Sequence, residues 1–297
     1  MTLAELSERA AREGITLGRL AVILDCEETG VPEDVLLAKV REMVGVMRGS
    51  IKQGLLSDKR SRSGLSGGDA AKVAGAPDSR RLPGNSLLSK AVAYALSVAE
   101  VNASMGKIVA APTAGSCGVI PGTFFAFAEM DTSCSDDDLV EGLCAAGLIG
   151  EVIGEKASLS GAQAGCQAEC GAAAAMAAAG LTQLRGGSPE DCIHAAALAL
   201  KGLMGLVCDP VAGLVEIPCV KRNATSAAVA LSAAEMALAG VRSRIPPDEV
   251  ISAMAQVGRA IPSSLRETAQ GGLAATPTGL RCAEMVQGLE DERQPHR

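Results

Sequence analysis

The chain has no tryptophan, one tyrosine (Tyr94) and three phenylalanines (Phe124, Phe125, Phe127). Its core must therefore be built from Ala, Leu, Val, Ile, Met and Gly, small or flexible side chains that let helix backbones approach closely. Histidine is almost missing: only His194 and His296 occur, which excludes a zinc site built on several imidazoles. His194 falls in the middle of an Ala/Leu helix pattern, where a packed or surface histidine is the ordinary reading, and it is given no role. A basic excess is missing too. Lys and Arg number 27 against 34 Asp and Glu, a net charge of −7, so the electropositive face of a nucleic-acid binder is not expected. No uninterrupted apolar run reaches the roughly 20 residues of a spanning helix, so no membrane segment is expected. The first residues, MTLAELSERAARE, are charged and lack the apolar core of a signal peptide. A cytoplasmic protein is the expectation.

What is present is 48% hydrophobic residues over 297 positions, enough for a sizeable core, and ten cysteines. In a reducing compartment such thiols are buried small hydrophobes, catalytic groups or metal ligands rather than a disulfide framework. With histidine scarce, any metal site would be mainly thiolate, which favours zinc or iron–sulfur.

Periodicity predicts an all-α fold of about ten helices with almost no strand. Helices are expected over 3–13 and 16–27, then from Pro32 to about Leu56, where Val35, Leu36, Val40, Met43, Val46 and Met47 recur at helical spacing. This organisation suggests an N-terminal helical region, 1–56, packed on a main catalytic domain, 57–297. Residues 57–85 lose the apolar period and read as a surface loop. Within it, Ser63–Gly68 is a candidate anion cradle, with amides at the head of a short helix from Asp69. Ser86–Met105 reads as an apolar helix capped by Ser86. GKIVAAPTAGSCGVIPG (106–122) combines a short β-like run, a glycine turn and hydroxyls beside Cys117. Asp136–Asp138 should start a helix to about Ala157. If the next run is helical, Cys166 and Cys170 share a face, with Gly180 ending it. Ser188-Pro189 opens another helix, Asn223 or Thr225 the next, and Ile245-Pro-Pro a further one. The tail GGLAATPTGLRC is again Gly/Thr-rich, and EDERQPHR should fray.

One stretch stands apart: Cys208–Asn223, CDPVAGLVEIPCVKRN. Pro210 and Pro218 forbid a continuous helix there. Two thiols therefore sit on irregular backbone beside Asp209, Glu216, Lys221 and Arg222, and a third, Cys166, lies 42 positions upstream in GCQAECG. These three are read as cluster ligands, although their spacing is neither that of a zinc finger nor that of a ferredoxin. Cys26, Cys134, Cys144 and Cys192 read as fillers.

These segments carry a resemblance. GLVCDPVAGLVEIPCVKRN, GAQAGCQAECGAAAAMAAAG, AAPTAGSCGVIPG, SGLSGGDAAKV and GGLAATPTG together resemble the α chain of the bacterial iron–sulfur-dependent L-serine dehydratases (L-serine ammonia-lyases), from roughly Ser63 to Gly279. The resemblance implies a [4Fe–4S] cluster held by Cys166, Cys208 and Cys219 with one iron open. It implies dehydration and deamination of L-serine to pyruvate and ammonia, in serine degradation and gluconeogenesis. It also implies a partner, because members carry a β region that this chain has no stretch to supply; a separate β subunit and a hetero-oligomer are expected. Some single-chain members place a C-terminal cysteine on the fourth iron, whereas Cys282 here is not terminal. Around the substrate the candidates are Ser66, Gly67, Gly68, Thr113, Ser116 and Arg222. Lys107 and Lys221 are candidates for charge or, with lowered pKa values, for the base; the base could equally come from the β chain. Alternatives are a cysteine desulfidase-type lyase, a non-catalytic iron–sulfur protein and a structural zinc protein. A pyridoxal enzyme is disfavoured by the absence of alternating strand–helix units.

Overall fold

The helix-start signals hold in space. In the computed structural model, which describes residues 1–76 and 86–293, Thr2, Ser135 and Ser188 each accept a hydrogen bond from the amide three residues on. The acid at that third position returns a bond to the cap amide, which satisfies two orphan donors at once. Thirteen α-helices and no strands result among the described residues. They are α1 (Leu3–Glu13), α2 (Leu17–Thr29), α3 (Glu33–Leu56), α4 (Asp69–Ala74), α5 (Ser86–Ala103), α6 (Val119–Met130) and α7 (Asp136–Lys156). After these come α8 (Gly161–Ala164), α9 (Ala172–Leu184), α10 (Pro189–Leu203), α11 (Cys219–Leu238), α12 (Pro247–Ala260) and α13 (Pro277–Arg293). Among the described residues the expected β-like run after Gly106 joins no ladder, and the one β-bridge pairs Cys208 with Arg266.

The core centres on α9. Every residue from Ala172 to Thr182 is buried, as for a helix with neighbours on all sides. Those neighbours are α6, α7, α10 and α11, while α2 and α3 pack on α7, and α3 also on α5. Gly180 does not end α9 as expected. It lies inside the helix, where a Cβ would come 2.8 Å from the Gly142 carbonyl oxygen and overlap the Phe124 ring. The close approach of α6 and α7 offsets the roughly 1 kcal/mol that glycine costs a helix interior.

A second boundary also differs from expectation. α11 starts at Cys219, not at Asn223 or Thr225, because Pro218 takes the cap position, where a missing N–H costs nothing. In the Gly/Thr-rich tail, Thr276 accepts the Gly279 amide and Pro277 opens α13, which packs on the turn Val211–Gly213. Residues 77–85 of the expected surface loop, residues 294–297 of the expected frayed tail, and His296 lie outside the described residues. Among the described residues, no helix is long and apolar enough to cross a membrane.

Candidate active site

Five irregular segments meet at one end of α9 and α11. The first is Gly161–Gly171. Gly165 turns the chain at φ +78°, packed against the Leu206 carbonyl oxygen, where a Cβ would stand at 2.8 Å. Cys166 follows and leads into one π-helical turn, Gln167–Gly171. Such a wide turn re-aims side chains and recurs at functional sites. Gln167, fully buried, holds it in place: its side chain donates to the Met254 carbonyl oxygen and accepts from the Gly205 amide. Cys166 and Cys170 are thus not on a regular helical face, yet their side chains pack together.

The second segment carries Cys208. Its amide donates to Leu265 O (2.8 Å) and its carbonyl accepts from Glu267 N (2.7 Å), which fastens it to residues 265–267. Asp209, buried beside it, accepts from Arg222 (2.9 Å) and from the Leu273 amide (2.8 Å). The third segment begins α11, with Cys219 in its first turn. Asn223, one turn on and 1% exposed, donates to Gly115 O (2.8 Å) and Cys219 O (3.0 Å) and accepts from Gly118 N (2.7 Å). One amide side chain therefore clamps the fourth segment, Thr113–Gly118, onto the Cys219 turn.

The fifth segment is Ser61–Asp69. Ser63 and Ser66 both donate to Glu216, at 2.8 and 2.7 Å, so this loop is tied to the stretch between Cys208 and Cys219. Two amides at the helix head of the expected cradle are engaged from within. The Asp69 amide donates to Glu100 at 2.7 Å and the Ala70 amide at 3.4 Å, and Glu100 is buried. Gly67 and Gly68 do adopt positive φ, +126° and +81°, and a Cβ on Gly67 would crowd the Lys59 carbonyl oxygen at 2.6 Å.

Cys166 and Cys208 pack together, and Cys219 lies near enough for their charges to act on one another; all three are buried and none is in a disulfide. A hydrogen bond from Cys170 shifts Cys166 below the usual thiol range; burial opposes this and the nearby Arg222 guanidinium assists it. Cys170 is pushed up by the same bond and by burial. Burial raises Cys219 to about 12, with the charges of Cys166 and Glu169 adding to it. Cys208 is raised for the same reasons. Each thiol of the trio is close enough to feel another's charge. Among the described residues no three His, Cys, Asp or Glu side chains converge on a single-ion site. A cubane cluster instead binds its thiolates through separate irons, which spaces them more widely.

The other sequence-derived candidates fall in different places. Thr113 lines a cavity of about 530 Å³ together with Gly161, Glu169 and Glu267. Its hydroxyl donates to Glu169 (2.8 Å) and lies 3.3 Å from the buried Ser116 hydroxyl. Arg222 is committed to Asp209 and the Val207 carbonyl oxygen. Lys221 pairs with Asp69 at 2.6 Å, half-exposed, and Lys107 is exposed; neither lines this cavity. A larger, mostly apolar cavity of about 850 Å³ lies among α2, α3 and α7 and contains none of the candidates. Glu169 and Glu100 were not anticipated, though Glu169 stands between Cys166 and Cys170; Asp209 and Glu216 were marked only as polar neighbours of the cysteines, and Asn223 only as a possible helix start.

The profile of the serine dehydratase alpha chain family matches residues 5–274. This chain belongs to that family. It is 45% identical over 284 residues to "Probable L-serine dehydratase, alpha chain" of Bacillus subtilis, covering 96% of this chain and 94% of that protein. It is 49% identical over 204 residues to the protein of the same name in Latilactobacillus sakei, covering 69% and 97%. It is 40% identical over 280 residues to "L-serine dehydratase, alpha chain" of Peptoniphilus asaccharolyticus, covering 94% and 96%. The family match spans all five segments of the site.

Proposed function

We propose that the chain is the alpha chain of an L-serine dehydratase, a lyase that removes water from L-serine and releases pyruvate and ammonia, working with a separate β chain in the cytoplasm. One observation supports it above the others: in a member of this family, Cys166, Cys208 and Cys219 lie near one another, free and buried, with Cys208 next to Gly161 of the polar cavity. Three soft donors on irregular, well-anchored backbone fit a [4Fe–4S] cluster better than a hard cation. Bound there, the cluster would supply an iron with an open position, a Lewis acid for the substrate's hydroxyl oxygen.

The chain's own residues would do the rest. Arg222, held by Asp209, keeps a positive charge against Cys166 and favours its thiolate. Asn223 and Glu216 hold the two flanking loops in register with the cysteine turns. Thr113 lines the cavity, with the buried Ser116 hydroxyl 3.3 Å from its own, and would orient the substrate. Ser66 is engaged with Glu216 and the helix head with Glu100, so the Ser66–Gly68 loop serves the site by shape, through Gly67 and Gly68. The aminoacrylate left by elimination tautomerises to an imine, which water converts to pyruvate and ammonia.

The test is turnover of L-serine, L-threonine and L-cysteine by the anaerobically prepared two-chain protein. Pyruvate from L-serine in preference to sulfide from L-cysteine is the expected result. Preferential release of sulfide would replace this reading with a desulfidase, and no turnover of any of the three would leave the non-catalytic alternative.

A further inference from the structure

Glu169 is the acidic side chain of the cavity whose position the fold controls most tightly. The π-helical turn between Cys166 and α9 carries it, and Gln167 locks that turn from both sides. One carboxylate oxygen accepts from Thr113 at 2.8 Å. The other stands over Gly161, where a Cβ would lie 2.5 Å from it and 3.2 Å from the Cys208 sulfur. Gly161 therefore leaves room for a carboxylate and a cluster thiol on the same side. Glu169 has no cationic partner among the described residues, since Arg222 is taken by Asp209 and Val207. The charged group acting on it is Glu267, of the same sign, at the rim of the same cavity.

A half-buried carboxylate with one hydroxyl donor and no counter-charge is an incomplete arrangement. A small primary ammonium completes it, bringing both charge and donors. Resting on the serine dehydratase reading, we propose that Glu169, fixed by Thr113, receives the α-ammonium group of the substrate and makes the site selective for amino acids over hydroxy acids. A substrate anchored by its nitrogen at Glu169 lies beside Gly161 and thus beside the Cys208 corner of the cysteine trio.

L-alanine and L-lactate test this directly. They differ only in ammonium against hydroxyl, and neither carries a β-hydroxyl to eliminate. Their dissociation constants are measured by anaerobic calorimetry on the cluster-loaded two-chain protein, for wild type, Glu169→Gln and Glu169→Asp. Wild type should prefer L-alanine. Glu169→Gln should weaken L-alanine by roughly 10- to 100-fold, the value of a charge-assisted hydrogen bond, and leave L-lactate unchanged. Glu169→Asp should restore part of the preference. Equal loss for both ligands in Glu169→Gln, or no loss for either, would overturn the assignment. If Glu169→Gln fails to fold, the wild-type preference and Glu169→Asp decide: no preference for L-alanine in wild type also overturns it. Wild type that forms pyruvate from L-serine yet shows no such preference sinks the Glu169 role alone, whereas wild type that forms none sinks the dehydratase reading and this role with it.

Discussion

Replacing Asn223 by alanine tests how the site is assembled. Asn223 is 1% exposed and makes three hydrogen bonds, two of which reach across to the Gly115 carbonyl and the Gly118 amide. The third bonds the Cys219 carbonyl, one turn back in α11. Alanine strands the Gly118 N–H in a buried place and the Gly115 oxygen in a partly buried one, at about 1–3 kcal/mol each, so roughly 2–6 kcal/mol in all. Aspartate keeps the acceptor for Gly118 but turns two donors into a charge facing two carbonyl oxygens, and should cost at least as much. The assay is hydrogen exchange resolved at Gly118. A loss of about 2 kcal/mol speeds exchange roughly 30-fold if that amide opens locally. Cluster content should fall in parallel, because Cys219 shares the clamp. Exchange at Gly118 within about twofold of wild type in both variants, a difference below roughly 0.5 kcal/mol, would refute the clamp.

Other outcomes follow from the same geometry. Cys166→Ser, Cys208→Ser and Cys219→Ser should each lose bound iron and acid-labile sulfide, while Cys192→Ala, in the packed face of α10, should retain both. Iron retained by all three serine variants would remove these ligands. Glu100→Ala should free the Asp69 and Ala70 amides and raise their exchange, at about 1 kcal/mol; unchanged exchange would mean the cap is not formed. Burial pushes the Cys117 and Cys192 thiols each to about 12, whereas an unfolded thiol ionises near 8.5. The folded state therefore favours the protonated form. The stability each thiol contributes is intact below about pH 8.5 and declines as pH rises toward 12, by about 1.4 kcal/mol per pH unit. Urea midpoints between pH 8.5 and 10.5 should fall more steeply for wild type than for Cys192→Ala; equal slopes would contradict it. Lys221→Met breaks a half-exposed pair with Asp69 worth at most about 1 kcal/mol, so kcat/KM should change less than threefold. A larger fall would place Lys221 at the substrate.

Much of the helical frame was legible because its signals are local. Ser135 with Asp138 and Ser188-Pro189 with Asp191 announce helix starts within four residues of sequence. The cysteine stretch was legible because proline forbids regular helix where Cys208 and Cys219 sit. What was not legible depends on contacts between distant segments. Gly180 continues α9 only because Phe124 and Gly142 press against it. The Ser63–Gly68 loop looked ready for a foreign anion, yet Glu100 and Glu216 supply carboxylates from elsewhere in the chain. Glu169 sat in plain view between two cysteines, but only the π-helical turn aims it at the Thr113 cavity. The Gly/Thr-rich segment before Cys282 hid a helix because its cap, Thr276, precedes a proline, a pairing as common in turns as at helix starts.

The central claim is that Cys166, Cys208 and Cys219 hold an open-iron cluster that meets the substrate. The most direct measurement is iron and acid-labile sulfide per chain in anaerobically reconstituted protein, with the visible spectrum recorded before and after L-serine. With no Trp and one Tyr, the protein's own near-ultraviolet absorbance is small beside a cluster's. The account predicts about four irons and four sulfides per chain and a spectrum that shifts on adding L-serine, with the β chain present. Zinc without sulfide, or a cluster whose spectrum ignores L-serine in the two-chain protein, would contradict it.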